Sequence, residues 1–345
     1  MVRSLLALIA FLALGCAPTA FRPAGSWSAA HAAGAPGLVL SGGGLSGMPY
    51  DAVLAWIRGR IAAPRGIRAG NLLILKASGE RDYSDTFYAH SRLRAVREIL
   101  IPPCVRNREV DRMASYVRTA DAILFAGGDQ AHYVVWKQTK LIDAVRAAYA
   151  RGAVIGGGSA GLAIQGEVVF DSVAADRVLP DDQDVATPDA VRNPYEPAIS
   201  FTTGFFAWPP LRASITDTHF ARRNRFGRLA AFMARALRDG LVRTAVVYGV
   251  AVDEGAALLV DGAGNATLVQ RRRESDGYVP RGAYVLEGNR SGRVFPGTPL
   301  RYVVKVTHII MPGSRYNLIR HTGAGRRYRV TVDGKHAAIY SPEPY

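Results

Sequence analysis

The chain has 345 residues, of which 49% are hydrophobic and 21% charged. This composition excludes a disordered chain and is enough for one large core or two modest ones. The formal net charge is +15, but only Arg271, Arg272 and Arg273 stand three in a row. Scattered arginines argue against a nucleic-acid-binding protein, whose basic residues gather in patches.

The first residues have the pattern of an export signal. Arg3 supplies a short positive region, and Leu5–Leu14 is an apolar stretch too short to span a bilayer. Residues 13–16, Ala-Leu-Gly-Cys, are similar to a bacterial lipobox. We therefore predict a signal peptide at 1–16 and a protein that is periplasmic or extracellular, attached to a membrane through lipidated Cys16. Plain secretion after cleavage elsewhere and a buried first helix are the alternatives.

The next segment, 17–36, is rich in Pro, Gly, Ser and Ala, which is typical of a tether. On this interpretation Cys104 has no intramolecular partner. Two cysteines also exclude a disulfide framework.

Residues 37–260 alternate strand and helix patterns. The strand patterns are Gly37–Leu40, Asn71–Leu75, Ala122–Phe125 and Ala153–Ile155, and the clearest helical patterns are Arg92–Leu100 and Lys140–Ala150. This rhythm predicts an α/β fold with a doubly wound, mostly parallel sheet. Ligands of such sheets bind beyond the carboxyl ends of the strands, where this sequence has its Gly-rich loops.

The C-terminal part, which we take as an extension at 261–345, is β-rich. Strand patterns from just before this boundary onward are Val246–Val252, Ala256–Val260, Ala266–Val269, Tyr302–Ile310, Tyr328–Val332 and Ala337–Tyr340. These strands either extend the sheet or form a small separate lobe, and the sequence does not decide between the two.

Ser159 is the candidate nucleophile. It stands in Gly157–Gly161, which fits the Gly-x-Ser-x-Gly turn between a strand and a helix. Small neighbours allow the strained turn that exposes the hydroxyl and lets backbone N–H groups reach an oxyanion. The alternative is a Gly-rich turn whose serine only caps the helix.

A serine nucleophile needs a base and an acid that orients the base. Among seven histidines, His219 is the best candidate because it follows an apolar run and precedes an Arg-rich helix start. Asp253 and Glu254 directly follow the strand pattern at Val246–Val252. Either carboxylate is suited to orient an imidazole. Asp171 remains open as another acid.

Four motifs together resemble the cyanophycinase and peptidase S51 family. They are Phe125–Gln130, Gly156–Gly161, Asp217–Arg228 and Gly249–Glu254, and the resemblance covers about residues 37 to 260. The family implies a sheet like that of class I glutamine amidotransferases and no metal or organic cofactor. It implies a serine hydrolase that cuts cyanophycin, a poly-aspartate with arginine on its side chains, or related β-aspartyl peptides.

The resemblance also implies roles for individual residues. Ser159 matches the nucleophile, His219 the general base and Glu254 its orienting acid. The positions that line the family's substrate pocket match Gln130, Asp217, Arg223, Arg225 and Arg228. A solvated helix face is the alternative for these arginines.

This sequence departs from the family at three places. Thr218 replaces a usual Gln, Gly158 replaces a usual Thr, and the segment 228–249 is longer. Two other functions stay open: an inactive binding lipoprotein on the same fold, and a dinucleotide-binding protein that uses Gly42–Gly47 as Gly-x-Gly-x-x-Gly.

Overall fold

A computed structural model describes residues 16–29, 34–61, 67–80, 83–180 and 183–345. The predicted signal peptide, except for Cys16, and part of the predicted tether lie outside the described residues. None of the helices in the described ranges is long and apolar enough to cross a membrane.

Strands of the described chain form two sheets, and helices pack on them. The strands are β1 Thr19–Ala20, β2 Ala24–Gly25, β3 Gly37–Ser41, β4 Asn71–Lys76, β5 Ala95–Leu100, β6 Ala122–Phe125, β7 Val154–Gly158, β8 Val168–Phe170, β9 Phe201–Thr203, β10 Ser214–Asp217, β11 Val246–Val252, β12 Ala256–Asp261, β13 Asn265–Gln270, β14 Ala283–Asn289, β15 Arg301–Ile309, β16 Arg315–Asn317, β17 Thr322–Gly323, β18 Arg326–Asp333 and β19 Tyr340–Ser341. The helices are α1 Tyr50–Arg60, α2 Ser84–Ser91, α3 Asn107–Arg112, α4 Ala114–Arg118, α5 Ala131–Val134, α6 Lys140–Ala150, α7 Ala160–Ala163, α8 Ala175–Val178, α9 Thr187–Arg192 and α10 Phe226–Arg238, with a short 3₁₀ turn at Pro209–Leu211.

The first sheet has a parallel centre, in the order β5-β4-β6-β7-β3. Antiparallel strands continue it on both sides, with β12, β13, β16 and β17 after β3 and with β1 and β2 on β5. Side chains alternate between two cores, since Leu38 and Leu73 face one side and Val39 and Leu72 the other. Helix α6 covers the first side and α1 the second, so the predicted doubly wound, mostly parallel sheet is confirmed.

The second sheet has the order β19-β18-β15-β14-β11-β10-β8-β9. Strands β8, β10 and β11 run parallel, whereas the strands from β14 onward are antiparallel, which confirms the β-rich C-terminal part. Helix α10 packs on this sheet through an apolar face that includes Leu229, Phe232 and Met233.

The C-terminal strands do not form a separate lobe. The predicted boundary at residue 260 falls inside β12, and β13 and β16 extend the first sheet while β14, β15, β18 and β19 extend the second. The chain therefore crosses between the sheets several times, at β7 to β8 and again at β11 to β12.

The predicted helix at Arg92–Leu100 was wrong, because Ala95–Leu100 is strand β5. Leu93, Val96 and Ile99 stand three residues apart, which fits one face of a helix. In the structure this segment pairs with β4 along its whole length and is buried on both faces. In a short apolar run that is buried on both sides, the spacing of hydrophobic residues does not distinguish a strand from a helix.

Cys16 and Cys104 form a disulfide, which corrects the prediction that Cys104 has no intramolecular partner. The short strands β1 and β2 pair with β5, so the described part of 17–36 lies along the edge of the first sheet. A sulfur in this disulfide cannot also carry a lipid thioether. The disulfide-bonded form of the chain is therefore not anchored through Cys16.

Candidate active site

The turn at Ser159 is built by close packing of backbone. Ser159 joins β7 to α7 with φ +54° and ψ −122°, a conformation that is rare for a residue with a side chain. A Cβ on Gly157 or Gly161 would lie 2.3 or 2.1 Å from the carbonyl oxygen of Phe125. The N–H of Ser159 donates to the carbonyl of Ser41 at 3.2 Å. Only glycines fit at positions 157 and 161, so the pattern marks a strained turn and not merely a helix cap.

Packing also accounts for Gly158, where the family usually has Thr. A Cβ at this position would lie 2.4 Å from the carbonyl oxygen of Gly43. The loop after β3 comes closer to the serine turn than a threonine would allow.

His219 lies directly against Ser159. The histidine follows β10 with φ +48°, and its N–H donates to the carbonyl of Gly42 at 2.9 Å. Its Nε2 lies 2.8 Å from Ser159 Oγ, and only 7% of the residue is exposed. A backbone bond to the loop after β3 thus holds the imidazole of the second sheet against the serine of the first.

Glu254 contacts the other ring nitrogen of His219. Its Oε1 accepts a hydrogen bond from Nδ1 of His219. With Glu254 ionised, the imidazole carries its proton on Nδ1, which leaves Nε2 free to accept the proton of Ser159. The three side chains form one continuous hydrogen-bonded chain.

The two other carboxylates considered from the sequence contact other groups. Asp253 is fully buried and accepts the backbone N–H groups of Ala221 and Arg222, each at 3.1 Å. Asp171 accepts from the hydroxyl of Thr202 at 2.7 Å and from the N–H of Val173 at 3.1 Å. Of these acids, only Glu254 lies at the imidazole.

Burial and charge shift the pKa values of this pair. Burial lowers the pKa of His219, and the charges of Arg223 and Arg225 lower it further against the opposing effect of Glu254. Burial alone would raise the pKa of Glu254, but its hydrogen bond with His219 and the nearby cations Arg222 and Arg223 together lower it. The imidazole is therefore favoured in its neutral form and Glu254 as the anion.

A cavity of about 810 Å³ opens beside Ser159. Its lining includes all five residues matched to the family's substrate pocket, namely Gln130, Asp217, Arg223, Arg225 and Arg228. The structure therefore brings the predicted residues to one place, at the carboxyl ends of β6, β7 and β10.

Three of the five residues, Asp217, Arg225 and Arg228, bind one another in the wall of the cavity. Arg228 makes a bidentate pair with Asp217, with N–O distances of 3.0 and 2.6 Å. Arg225 donates to the carbonyl and hydroxyl oxygens of Thr218 at 3.1 and 2.9 Å. The side chains of Arg228 and Asp217 are 3% and 4% exposed. Arg228 therefore does not lie on a solvated helix face. It donates to both carboxylate oxygens of Asp217.

Asp184 completes this cluster and was missed by the sequence reasoning. One of its oxygens accepts from Arg228 Nη1 at 2.6 Å and also from Arg225. The two cations lower the pKa of Asp184 against the effect of its burial, which is the largest contribution. It stands in a polar segment with no motif, so no signal in the sequence could have found it.

The remaining two predicted residues keep free surface toward the cavity. Arg223 has a side chain that is 53% exposed, and its Nε lies 3.7 Å from Glu254 Oε1. Gln130 donates from Nε2 to the hydroxyl of Ser172 at 2.7 Å. This hydrogen bond uses the amide nitrogen and not the amide oxygen of Gln130. Arg223 is thus the cation of the five that is most available to a ligand.

The first glycine of the Gly42–Gly47 loop is packed against protein. A Cβ on Gly42 would lie 2.1 Å from the carbonyl oxygen of Asp253, and the Gly42 carbonyl accepts from His219. Gly42 therefore serves the packing of the His219 turn. Within the described ranges, no group of three or more His, Cys, Asp and Glu side chains is arranged to hold a metal ion.

Two solved structures are similar in part to this chain. A peptidase from an acI-B1 Actinobacterium is 16% identical with a TM-score of 0.46, over 83% of this chain and 98% of the other. A putative peptidase E protein from Listeria monocytogenes EGD-e is 12% identical with a TM-score of 0.41, over 69% of this chain and 99% of the other.

The sequence also matches a family model. Residues 38–189 match peptidase family S51, a segment that contains Ser159 and the cavity residue Gln130. This match confirms the S51 part of the resemblance drawn from the four motifs. Over residues 38–189 the chain is therefore similar to the peptidases of family S51.

Proposed function

We propose that the protein is an exported serine peptidase that hydrolyses β-aspartyl peptides, cyanophycin among them, through an acyl-enzyme on Ser159. The observation that carries the proposal is the continuous hydrogen-bonded chain from Ser159 through His219 to Glu254 at the wall of a large cavity. Neutral His219 beside an ionised carboxylate is the arrangement that a general base requires.

The reaction runs in two steps. The hydroxyl of Ser159 attacks the carbonyl carbon of the scissile bond while His219 Nε2 takes its proton. The imidazolium, stabilised by Glu254, then protonates the leaving amine, and the acyl group stays on Ser159. In the second step water attacks the ester, again giving its proton to His219, and the serine is regenerated.

The substrate side of the proposal is based on the charges of the cavity. Arg223 supplies a partly exposed guanidinium next to Glu254, which suits a substrate carboxylate near the scissile bond. Asp129 and Asp176 supply negative charge to the same cavity. Burial and the hydrogen bond with Asp129 raise the pKa of Asp176 to about 6. A β-aspartyl-arginine unit has both a carboxylate and a guanidinium to match these charges.

The disulfide supports export as part of the proposal. Disulfides persist in oxidising compartments such as the periplasm, whereas cytosolic thiols are kept reduced. The location is tested by fractionating cells and comparing the mass of the chain before and after reduction and alkylation. A cytoplasmic chain with two free thiols would contradict this part of the proposal.

The activity is tested with a fluorophosphonate probe on the purified protein. Wild type should be labelled once per chain, and Ser159→Ala and His219→Ala should each lose on the order of 10³-fold or more in labelling and in peptide turnover. Ser115→Ala, a change of an exposed serine on α4, is the matched control and should react like wild type. Near-native hydrolysis by Ser159→Ala would show that the nucleophile is wrong.

The substrate is tested separately. Cyanophycin digested with wild type should release β-aspartyl-arginine, and digestion with Ser159→Ala should release none. If wild type cleaves other aspartyl peptides but releases nothing from cyanophycin, the substrate proposal fails and the role of Ser159 stands.

A further inference from the structure

Glu254 is held at both of its carboxylate oxygens. Oε1 accepts from His219, and Oε2 lies 2.8 Å from Nη1 of Arg222. We infer that Arg222 is a positioning residue for Glu254 and that the segment 271–281, beyond the part matched to the family, holds Arg222 in place. The inference rests on the proposed function and extends the catalytic set by a group that does not touch the substrate.

Two side chains of that segment hold the guanidinium of Arg222. Asp276 accepts from Nη2, and the ring of Tyr278 lies 4.9 Å from the guanidinium carbon. Asp276 is itself fixed in a tight turn, where its Oδ1 accepts the N–H of Tyr278 at 3.1 Å. The planar fork of arginine can reach Glu254 with one nitrogen and Asp276 with the other, which the single ammonium of lysine cannot reproduce.

Buried Asp253 ties the same parts together through the backbone. Its Oδ1 accepts the N–H groups of Ala221 and Arg222, while its Oδ2 accepts from the hydroxyl of Tyr278 at 2.5 Å and from the N–H of Arg281 at 2.9 Å. One carboxylate thus connects the turn after His219 to the segment that carries Asp276. The adjacent acids Asp253 and Glu254 have separate tasks.

Arg222 is better placed for this task than Arg223. The Nε of Arg223 is 3.7 Å from Glu254, and its side chain is 53% exposed, against 33% for Arg222. A free glutamate samples several rotamers, so fixing its second oxygen keeps the first aimed at His219.

The positive charge of Arg222 also affects the ionisation of Glu254 and His219. A cation next to Glu254 disfavours a further positive charge on His219 and favours ionised Glu254. The cations that act on this pair are Arg222, Arg223 and Arg225. Glu274 and Tyr278 act on Glu254, and Asp276 pairs with Arg222. Loss of Arg222 removes a cation from this set and frees one Glu254 oxygen.

The test compares wild type with Arg222→Ala, Arg222→Lys and the matched control Arg272→Ala, an exposed arginine of the same segment. The pKa of His219 is measured by NMR titration of the imidazole, and fluorophosphonate labelling rates are measured against pH. In Arg222→Ala we expect the His219 pKa to rise by up to about one unit and labelling to slow roughly tenfold. Arg222→Lys should return the pKa toward wild type but recover the rate only in part, and Arg272→Ala should change neither.

Each outcome bears on the inference. An unchanged His219 pKa in Arg222→Ala overturns it, whether the labelling rate falls through general destabilisation or stays the same. A wild type that is folded but not labelled contradicts the proposed function, while the histidine titration still decides the role of Arg222.

Discussion

Two charge clusters adjoin the turn that carries His219, and they differ mainly in burial. The inner cluster consists of Asp184, Asp217, Arg225 and Arg228 and lines the cavity. The outer cluster consists of Arg222, Arg223, Glu254 and Asp276 and lies closer to solvent. The arginine side chains are 8% and 3% exposed in the inner cluster but 33% and 53% exposed in the outer one.

The comparison shows that the same residue types serve different ends. Two cations and two anions balance in the inner cluster, where the buried charges of Asp217, Arg225 and Arg228 depend on their partners because little water reaches them. In the outer cluster solvent screens the pairs, so they contribute little to stability. Their effect is instead on the orientation and ionisation of Glu254.

The largest expected effect is on stability. Arg228→Met should lower the free energy of unfolding by about 3–5 kcal/mol, because it leaves the buried carboxylate of Asp217 without its main partner. Arg223→Met, the same change in the outer cluster, should cost about 1 kcal/mol or less. Both are measured by denaturant unfolding, and similar losses in the two variants would erase the distinction between the clusters.

A double variant sharpens this expectation. Adding Asp217→Asn to Arg228→Met removes a charge that has lost its partner. Asp217→Asn should therefore lower the free energy of unfolding much less in the Arg228→Met variant than in wild type. Simple additivity of the two losses would mean that the pair is not coupled.

A smaller effect is expected on substrate binding. Arg223→Gln should raise KM for an acidic aspartyl peptide by roughly 5- to 10-fold, about 1 kcal/mol, with less change in kcat, because an exposed cation attracts the substrate through solvent. The difference from wild type should shrink as salt is raised from about 0.05 to 0.5 M. A KM effect independent of salt would point to a desolvated contact and place Arg223 with the inner cluster.

The smallest effect concerns pH. Because the pKa of His219 is lowered and the base acts when neutral, the acidic limb of kcat/KM should lie below the ordinary histidine value of 6.5. Arg223→Gln should move this limb upward by a few tenths of a unit, since it removes one of the charges that lower the pKa. A wild-type limb above pH 7, measured with steady-state rates, would contradict the assignment of His219 as the base.

The parts of the fold that the sequence predicted share a simple cause. Strands β3, β6 and β7 of the parallel centre are short apolar runs with glycines at or just after their ends, as at Gly127 and Gly158, and both signals are local. The same local signal placed Ser159, His219 and Glu254 just beyond strands. Because these strands are parallel within each sheet, their ends meet at one edge.

The parts that were missed depend on contacts distant in sequence. Cys16 pairs with Cys104 across 88 residues, and Asp184 reaches Arg228 across 44. The pairing of Asp217 with Arg228 was missed for a related reason. A carboxylate and an arginine in one motif can each bind a ligand or can bind each other. The sequence does not distinguish these two cases, because they differ only in side-chain geometry.

The crossing of the chain between the two sheets determines when the site can exist. Gly42, which accepts from His219, follows the third strand of the chain, while Glu254 precedes β12 and Asp276 comes later still. During synthesis Ser159 leaves the ribosome about 60 residues before His219 and about 95 before Glu254, so a growing chain holds the serine without its base. A chain cut short before residue 254 would therefore have the Ser159 turn but lack the carboxylate that contacts His219.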